Sequence, residues 1–299
     1  METISIGLGE PTAELRSALD AALRPLRARG ARVELRESRR GALHFLTCAL
    51  DADPARSEAA RSAGVELRRT VAGLLAGCIL ERREPALIAR LLGAHYSYLT
   101  APEREAVLAI AGRRLGRDDL GAPGPADRRV RIGQRLDAYL ERQGTVVLDG
   151  FVTFRLKDYV DTLVAAVDRA VDEFLLEREY REFIDLLRHV VESRPDRPAA
   201  VDCLPRGDGR FDLRDEGGRA VGRAFLEESA PEAAAHEVGA EELLVSALIT
   251  VAPREVRLHV PEESAVALSP EVLGTLEAVF RHCVRICRGC PRCLRRAEG

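Results

Sequence analysis

From Leu156 onward the apolar residues return in steps of four and three: Leu156, Val160, Leu163, Val167, Ala170, Phe174. That spacing lays them along one stripe of an α-helix, and a stripe of this length needs a packed surface opposite it. A second stripe, Leu176, Tyr180, Phe183, Leu187 and Val190, follows in a changed phase. The pattern therefore predicts either a helix buried on a wide face or a break between Phe174 and Leu176. Arg194–Pro198, RPDRP, stops it, because a residue before proline is pushed out of the α region. The expectation is one amphipathic rod after Gly150 whose apolar stripe docks onto the rest of the chain.

The flanks carry other periods. Glu2–Leu8 alternates and reads as a strand, and Pro11–Leu26 reads as a helix with Pro11 near its start. Ala31–Glu37 and Ala42–Leu50 read as strands joined by the polar turn Ser38-Arg39-Arg40-Gly41, and Asp51–Pro54 is a break. Arg56–Glu81, Pro85–His95, Pro102–Leu115 and Arg128–Arg142 have helical spacing, with Gly121–Asp127 (GAPGPAD) as a turn-rich linker. Further on, Ala199–Leu204 and Arg210–Leu213 flank Gly207-Asp208-Gly209, a hairpin signal. Ala240–Val251 and Pro270–Phe280 are helices, the second with Ser269 as N-cap, while Glu255–Val260 and Arg281–Cys287 read as strands. The fold class expected is α+β. Residues 1–50 form a βαββ unit, 51–198 a helical domain with the long amphipathic helix, and 199–299 a small mixed α/β domain ending in a Cys-rich tail.

Composition excludes several roles. With 45 Lys and Arg against 48 Asp and Glu the net charge is −3, so no global field draws the chain to nucleic acid or to an anionic membrane. The longest apolar run, Val71–Leu80, is about half of what a membrane-spanning helix needs. No charged start precedes an apolar segment, so a secretory signal is not expected. Cysteines number 7, with four crowded near the end, which suits a reducing compartment better than a disulfide scaffold. The expected location is the cytoplasm.

The segment Leu148–Glu192 (LDGFVTFRLKDYVDTLVAAVDRAVDEFLLEREYREFIDLLRHVVE) resembles the signature region of the YtxC-like family of sporulation proteins in endospore-forming bacteria. Glu242–His259 and Ile286–Cys293 (ICRGCPRC) are similar as well. The resemblance implies a cytosolic protein linked to sporulation and no particular reaction.

Two constellations carry chemistry. Cys283, Cys287, Cys290 and Cys293 form C-x3-C-x2-C-x2-C, and thiolates at such spacing can hold zinc or an iron–sulfur cluster. Geometry limits the set. In a helix Cys283 and Cys287 stack and all four cysteines can serve. The alternation of His282, Val284 and Ile286 favours a strand, and if Arg281–Cys287 is extended Cys283 and Cys287 stand about 13 Å apart, too far for one zinc. The metal would then take Cys287, Cys290 and Cys293, with a fourth donor from elsewhere, Cys203 or His259. The same tail carries Arg281, Arg285, Arg288, Arg292, Arg295 and Arg296, a basic strip that could meet phosphates of a nucleic acid, although no aromatic residue interleaves to stack on bases.

The second constellation surrounds Lys157, the single lysine among 45 basic residues. Arg155, Lys157, Asp158 and Tyr159 are binding candidates together with Arg288 and Arg292. The competing account of Lys157 is a structural ion pair with Asp161 one helical turn on. Asp172, Glu173, Glu177, Glu179 and Glu182 read as the outer face of the helix. No nucleophile–base–acid set, HExxH pair, Walker loop or dinucleotide fingerprint is present. The function expected is therefore binding of a protein partner, with a metal- or nucleic-acid-binding module at the Cys/Arg tail as the alternative.

Overall fold

The computed structural model describes residues 2–11, 13–51, 58–116, 124–206, 210–222, 239–260 and 268–290. The fold is α+β with a helical middle, and the chain divides into two compact units, Met1–Leu175 and Leu176–Gly299.

In the first unit, β1 (Glu2–Leu8), β2 (Val33–Arg40), β3 (Leu43–Leu50) and β4 (Thr145–Val147) form one sheet in the order β2-β3-β1-β4. The antiparallel β2–β3 and β1–β3 pairs match the βαββ pattern, with α1 (Ala13–Ala22) and the short α2 (Arg24–Ala28) between β1 and β2. Period-two alternation sends Ile4, Ile6 and Leu8 into the core. On the other face Ser5 sits opposite Thr47, and their hydroxyls bond across the strands at 3.0 Å. Gly7 lies opposite Phe45, and a Cβ there would come within 2.9 Å of the ring, so the ring occupies the space that any larger residue would need.

The helices α3 (Glu58–Cys78), α4 (Glu84–His95), α5 (Ala101–Gly116) and α6 (Pro125–Gln143) follow. A single π-helical turn, Ile79–Arg83, joins α3 to α4. Gly144 caps α6 at φ +60°, donates its N–H to the Leu140 carbonyl, and accepts from the Ser5 N–H at 2.9 Å. That turn delivers β4 alongside β1 in parallel register, so the strands of the βαββ segment share one sheet with a strand from the helical region. After α7 (Leu148–Arg155) comes α8 (Lys157–Glu192), a continuous helix of 36 residues.

Within the first unit, the opening stretch of α8 buries Leu163, Val167, Ala170, Val171 and Phe174, with Leu156 just ahead of the helix, as the first stripe predicts. Its deepest polar contact is a cluster. The Tyr159 hydroxyl donates to Glu84 at 2.7 Å, Arg128 pairs with the same carboxylate at 3.2 Å, and Arg128 also donates to the Leu115 carbonyl at 2.9 Å. Four helices thus meet around one buried carboxylate.

In the second unit, β5 (Val201–Pro205) pairs antiparallel with β6 (Phe211–Asp215) and parallel with β7 (Val256–His259), which pairs parallel with β8 (Val284–Cys287). The hairpin residues Gly207, Asp208 and Gly209 lie outside the described residues. Register partners share a face, so Val201, Cys203, Leu213, Val256 and Leu258 line one side. They join a core with α9 (Ala240–Val251) and α10 (Pro270–Phe280) through Leu244, Leu248, Leu276 and Phe280. The Ser269 hydroxyl caps α10 as expected, accepting from the Val272 N–H.

The second stripe of α8 departs from expectation. Leu176 and Phe183 are 67% and 54% exposed, Tyr180 and Val190 are exposed too, and so is Leu186 beside the stripe. The residues that enter the core of the second unit are Ile184 and Val191, with Leu187 partly buried against them. The helix does not break at residue 175. In the second unit the buried residues of the helix are therefore not those of the second stripe, apart from the partly buried Leu187.

Replacing Glu84 by Ala should strand the Arg128 charge in the core of the first unit and cost about 3–5 kcal/mol of stability. Tyr159→Phe, which removes one hydrogen bond, should cost about 1–2 kcal/mol. Urea unfolding followed by circular dichroism checks both, and equal losses would contradict the shared-carboxylate geometry.

Candidate functional site

The two strands that end at the cysteine tail bring three donors together. His259 and Cys287 are register partners on β7 and β8, so their side chains leave the sheet on the same face. The Val260 N–H bonds to the Cys287 carbonyl at 2.9 Å and carries the parallel pairing past the strand ends. Three residues beyond, Cys290 folds back until its Sγ is 3.6 Å from His259 Nδ1. The ligand atoms of His259, Cys287 and Cys290 all lie within 4.8 Å of one another.

The other ring nitrogen is also held. His259 Nε2 is 3.0 Å from Asp202 Oδ1, and both side chains are buried. Asp202 lies on β5 opposite Arg257, which puts it on the His259 face of the sheet. An ionised carboxylate only accepts hydrogen bonds, so it selects the tautomer with the proton on Nε2. Nδ1 then presents its lone pair toward the cysteines.

This arrangement suits two chemistries. A carboxylate behind an imidazole that faces thiolates is the usual support of a zinc ligand. The line Asp202–His259–Cys290 also has the order of a thiol nucleophile, its base and the base's orienting group. Cys287 brings a second sulfur to the same place.

The other tail residues fall differently. Cys283 is exposed, in a 3-10 turn (Arg281–Cys283) ahead of β8, and does not join the group. The expected strand over Arg281–Cys287 is shorter, β8 beginning at Val284. Cys203 faces the apolar core, and burial drives its thiol pKa far upward, so of the two donors offered from elsewhere it is His259 that meets the cysteines. Arg288 is exposed, and Arg285 pairs with Glu255 at 2.9 Å. Arg292 and Cys293 lie outside the described residues. Asp202 was not visible as a site residue in the sequence. Its one signal is a charge between Val201 and Cys203 in an otherwise apolar strand.

The Lys157 constellation is dispersed. Lys157 is exposed at the first position of α8, and among the described residues no ion pair joins it to Asp161. Asp158 turns to Arg135 on α6, which holds its carboxyl below the ordinary value. Arg155 lies over the Tyr139 ring, 5.9 Å from its centre. Tyr159 points the opposite way, into the Glu84 cluster, where burial pushes its hydroxyl pKa up.

The first unit also holds a cavity of about 370 Å³ lined by Leu8, Leu15, Leu75 and Cys78. Arg82 and Arg83 at its rim are paired with Glu14 and Glu10, which leaves neither cation clear for an anionic ligand. Among the described residues no helix is long and apolar enough to cross a membrane.

A family model described as the YtxC-like family matches residues 69–285. Among curated proteins, the chain is 26% identical over 219 residues to the uncharacterized protein YtxC of Bacillus subtilis (strain 168), covering 68% of this chain and 75% of that one. No solved structure matches.

Thiol alkylation under native conditions should modify Cys283 early and leave Cys48 and Cys203 untouched until the chain unfolds. Both inner thiols are fully buried, and burial pushes Cys48 up to about 12, so neither offers a thiolate near neutral pH. Peptide mass spectrometry reads the order, and early labelling of Cys203 would overturn its place in the core.

Proposed function

The chain belongs to the YtxC-like family, and from that premise we propose that it serves sporulation in the cytoplasm by binding a protein partner. The observation that carries the binding role is the apolar strip on the second half of α8. Leu176, Tyr180, Phe183, Leu186 and Val190 are exposed within one helix of the second unit. A contiguous apolar strip on a helix, edged by polar residues, is the form of a protein-binding surface.

The charges around the strip favour one kind of occupant. Residues 176–192 hold five carboxylates (Glu177, Glu179, Glu182, Asp185, Glu192) and three arginines (Arg178, Arg181, Arg188), a balance of 3 − 5 = −2. Arg178 and Arg188 are already spent on Glu182 and Asp185 of the same helix. The complement is an amphipathic helix of another protein with an apolar stripe and basic flanks. The tail supports this reading over nucleic acid, because Glu255 neutralises Arg285 and no aromatic side chain interleaves with the arginines.

In an endospore-forming host, deleting the gene should lower or delay spore yield, and the double substitution Phe183→Glu, Leu186→Glu should reproduce that defect. Because both side chains face solvent, the variant should keep the parent's circular dichroism and melting temperature. Normal spore yield from the deletion would sink the sporulation role. Normal yield from the folded double variant would sink the surface. A parent dimer that the same substitutions break would assign the strip to self-association instead.

A further inference from the structure

We infer that His259, Cys287 and Cys290 are ligands of a zinc ion, with Asp202 orienting the histidine. Four observations converge on this assignment.

The first is distance. Zinc bonds of about 2.3 Å to sulfur and about 2.0 Å to nitrogen, opened to the tetrahedral angle, put the two donor atoms about 3.5 Å apart. Cys290 Sγ and His259 Nδ1 are separated by 3.6 Å. The remaining separations lie within 4.8 Å.

The second is the imidazole. The buried Asp202 fixes Nε2 as the donor and aims the Nδ1 lone pair at the sulfurs. A histidine placed only to satisfy Asp202 would have no need to face two cysteines with its other edge.

The third is the number of sulfurs. A thiol nucleophile needs one cysteine on the base, and the parallel register brings a second, Cys287, to the same place. A Cys-x2-Cys pair on one imidazole is a ligand set.

The fourth is the choice of metal. Two thiolates and an imidazole nitrogen make a borderline-soft donor set that suits zinc, whereas magnesium and calcium require oxygen. Zinc's fourth position falls to a donor beyond these three.

The site closes the end of the second sheet. It joins β7 to the residues that follow β8, on the charged face opposite the apolar core. Its role is structural, fixing the chain beyond β8 to the sheet.

The experiment uses the full chain purified without oxygen, stripped by chelation and then titrated with zinc or cobalt(II). One equivalent of zinc should survive gel filtration. Cobalt should give the intense visible bands of a tetrahedral ion and a sulfur-to-cobalt charge-transfer band. Cys287→Ser and Cys290→Ser should each weaken binding at least about tenfold and diminish the charge-transfer band, while Cys283→Ser should change nothing. Asp202→Asn should keep the spectrum and lower affinity by about 10–100-fold. Because His259 and Asp202 are buried, circular dichroism confirms that each variant is folded, and the part-exposed Cys290 keeps the test available if Asp202→Asn is not. Zinc should also slow alkylation of Cys287 and Cys290 together. The assignment is overturned by metal that washes out, by a spectrum that survives Cys287→Ser and Cys290→Ser, by loss of binding in Cys283→Ser, or by Cys290 alone alkylating fast with zinc present.

Discussion

The buried pair of Asp202 and His259 fixes the chemistry of the second unit. A carboxylate at 3% exposure is tolerated only when it is partnered, because removing a charge from water costs several kcal/mol. Once His259 is bound through Nε2, its ring cannot turn freely, and the opposite nitrogen is committed to whatever lies beyond β7. The sheet register decides what that is. Parallel pairing with β8 places Cys287 beside His259, and the backbone after β8 brings Cys290 to the same nitrogen. The apolar side of the sheet carries the packing against α9 and α10, so the polar side is left for ligands and ion pairs.

Much of the fold was legible because period and burial agreed. Ile4, Ile6 and Leu8 alternate and are buried, and Leu163, Val167, Ala170 and Phe174 recur at helical spacing and are buried. The second half of α8 shows where such reading stops. Tyr180 and Phe183 continue a helical apolar spacing as well as Ile184 and Val191 do, but only the latter pair meets the core. Periodicity says which residues share a face and is silent on which face finds a neighbour. Strand β4 was illegible for another reason. Three residues hold too little pattern to show a period, and its partner β1 lies some 140 residues earlier in sequence.

The site was half legible for related reasons. Cysteine spacing is local, so Cys287 and Cys290 stood out together with Cys283, which the structure leaves exposed in the turn before β8. His259 could be offered only as one of two distant donors. What separated it from Cys203 is the alternation of neighbouring strands, which turns Cys203 into the apolar core and His259 away from it. Asp202 had no motif at all. The local clue was thermodynamic: a charged residue inside VDCLP must be paired if that strand is central, and β5 is central, between β6 and β7.

A metal at this position would act where the sheet has least support. β8 is an edge strand of four residues with a single neighbour, and Ile286 on it is 45% exposed. Short edge strands fray, since few ladder bonds and little buried surface oppose the entropy of release. Covalent-strength bonds from zinc to His259 on β7 and to Cys287 at the end of β8 would tie that edge to the strand inside it. Binding free energy is then folding free energy for the segment concerned. The exposed strip of α8 belongs to the same unit and draws two of its buried neighbours, Ile184 and Val191, from the same core as Val256 and Leu258 of β7. A unit that must present a fixed apolar surface gains from a closed sheet edge, because opening at β8 would loosen the core on which that helix rests.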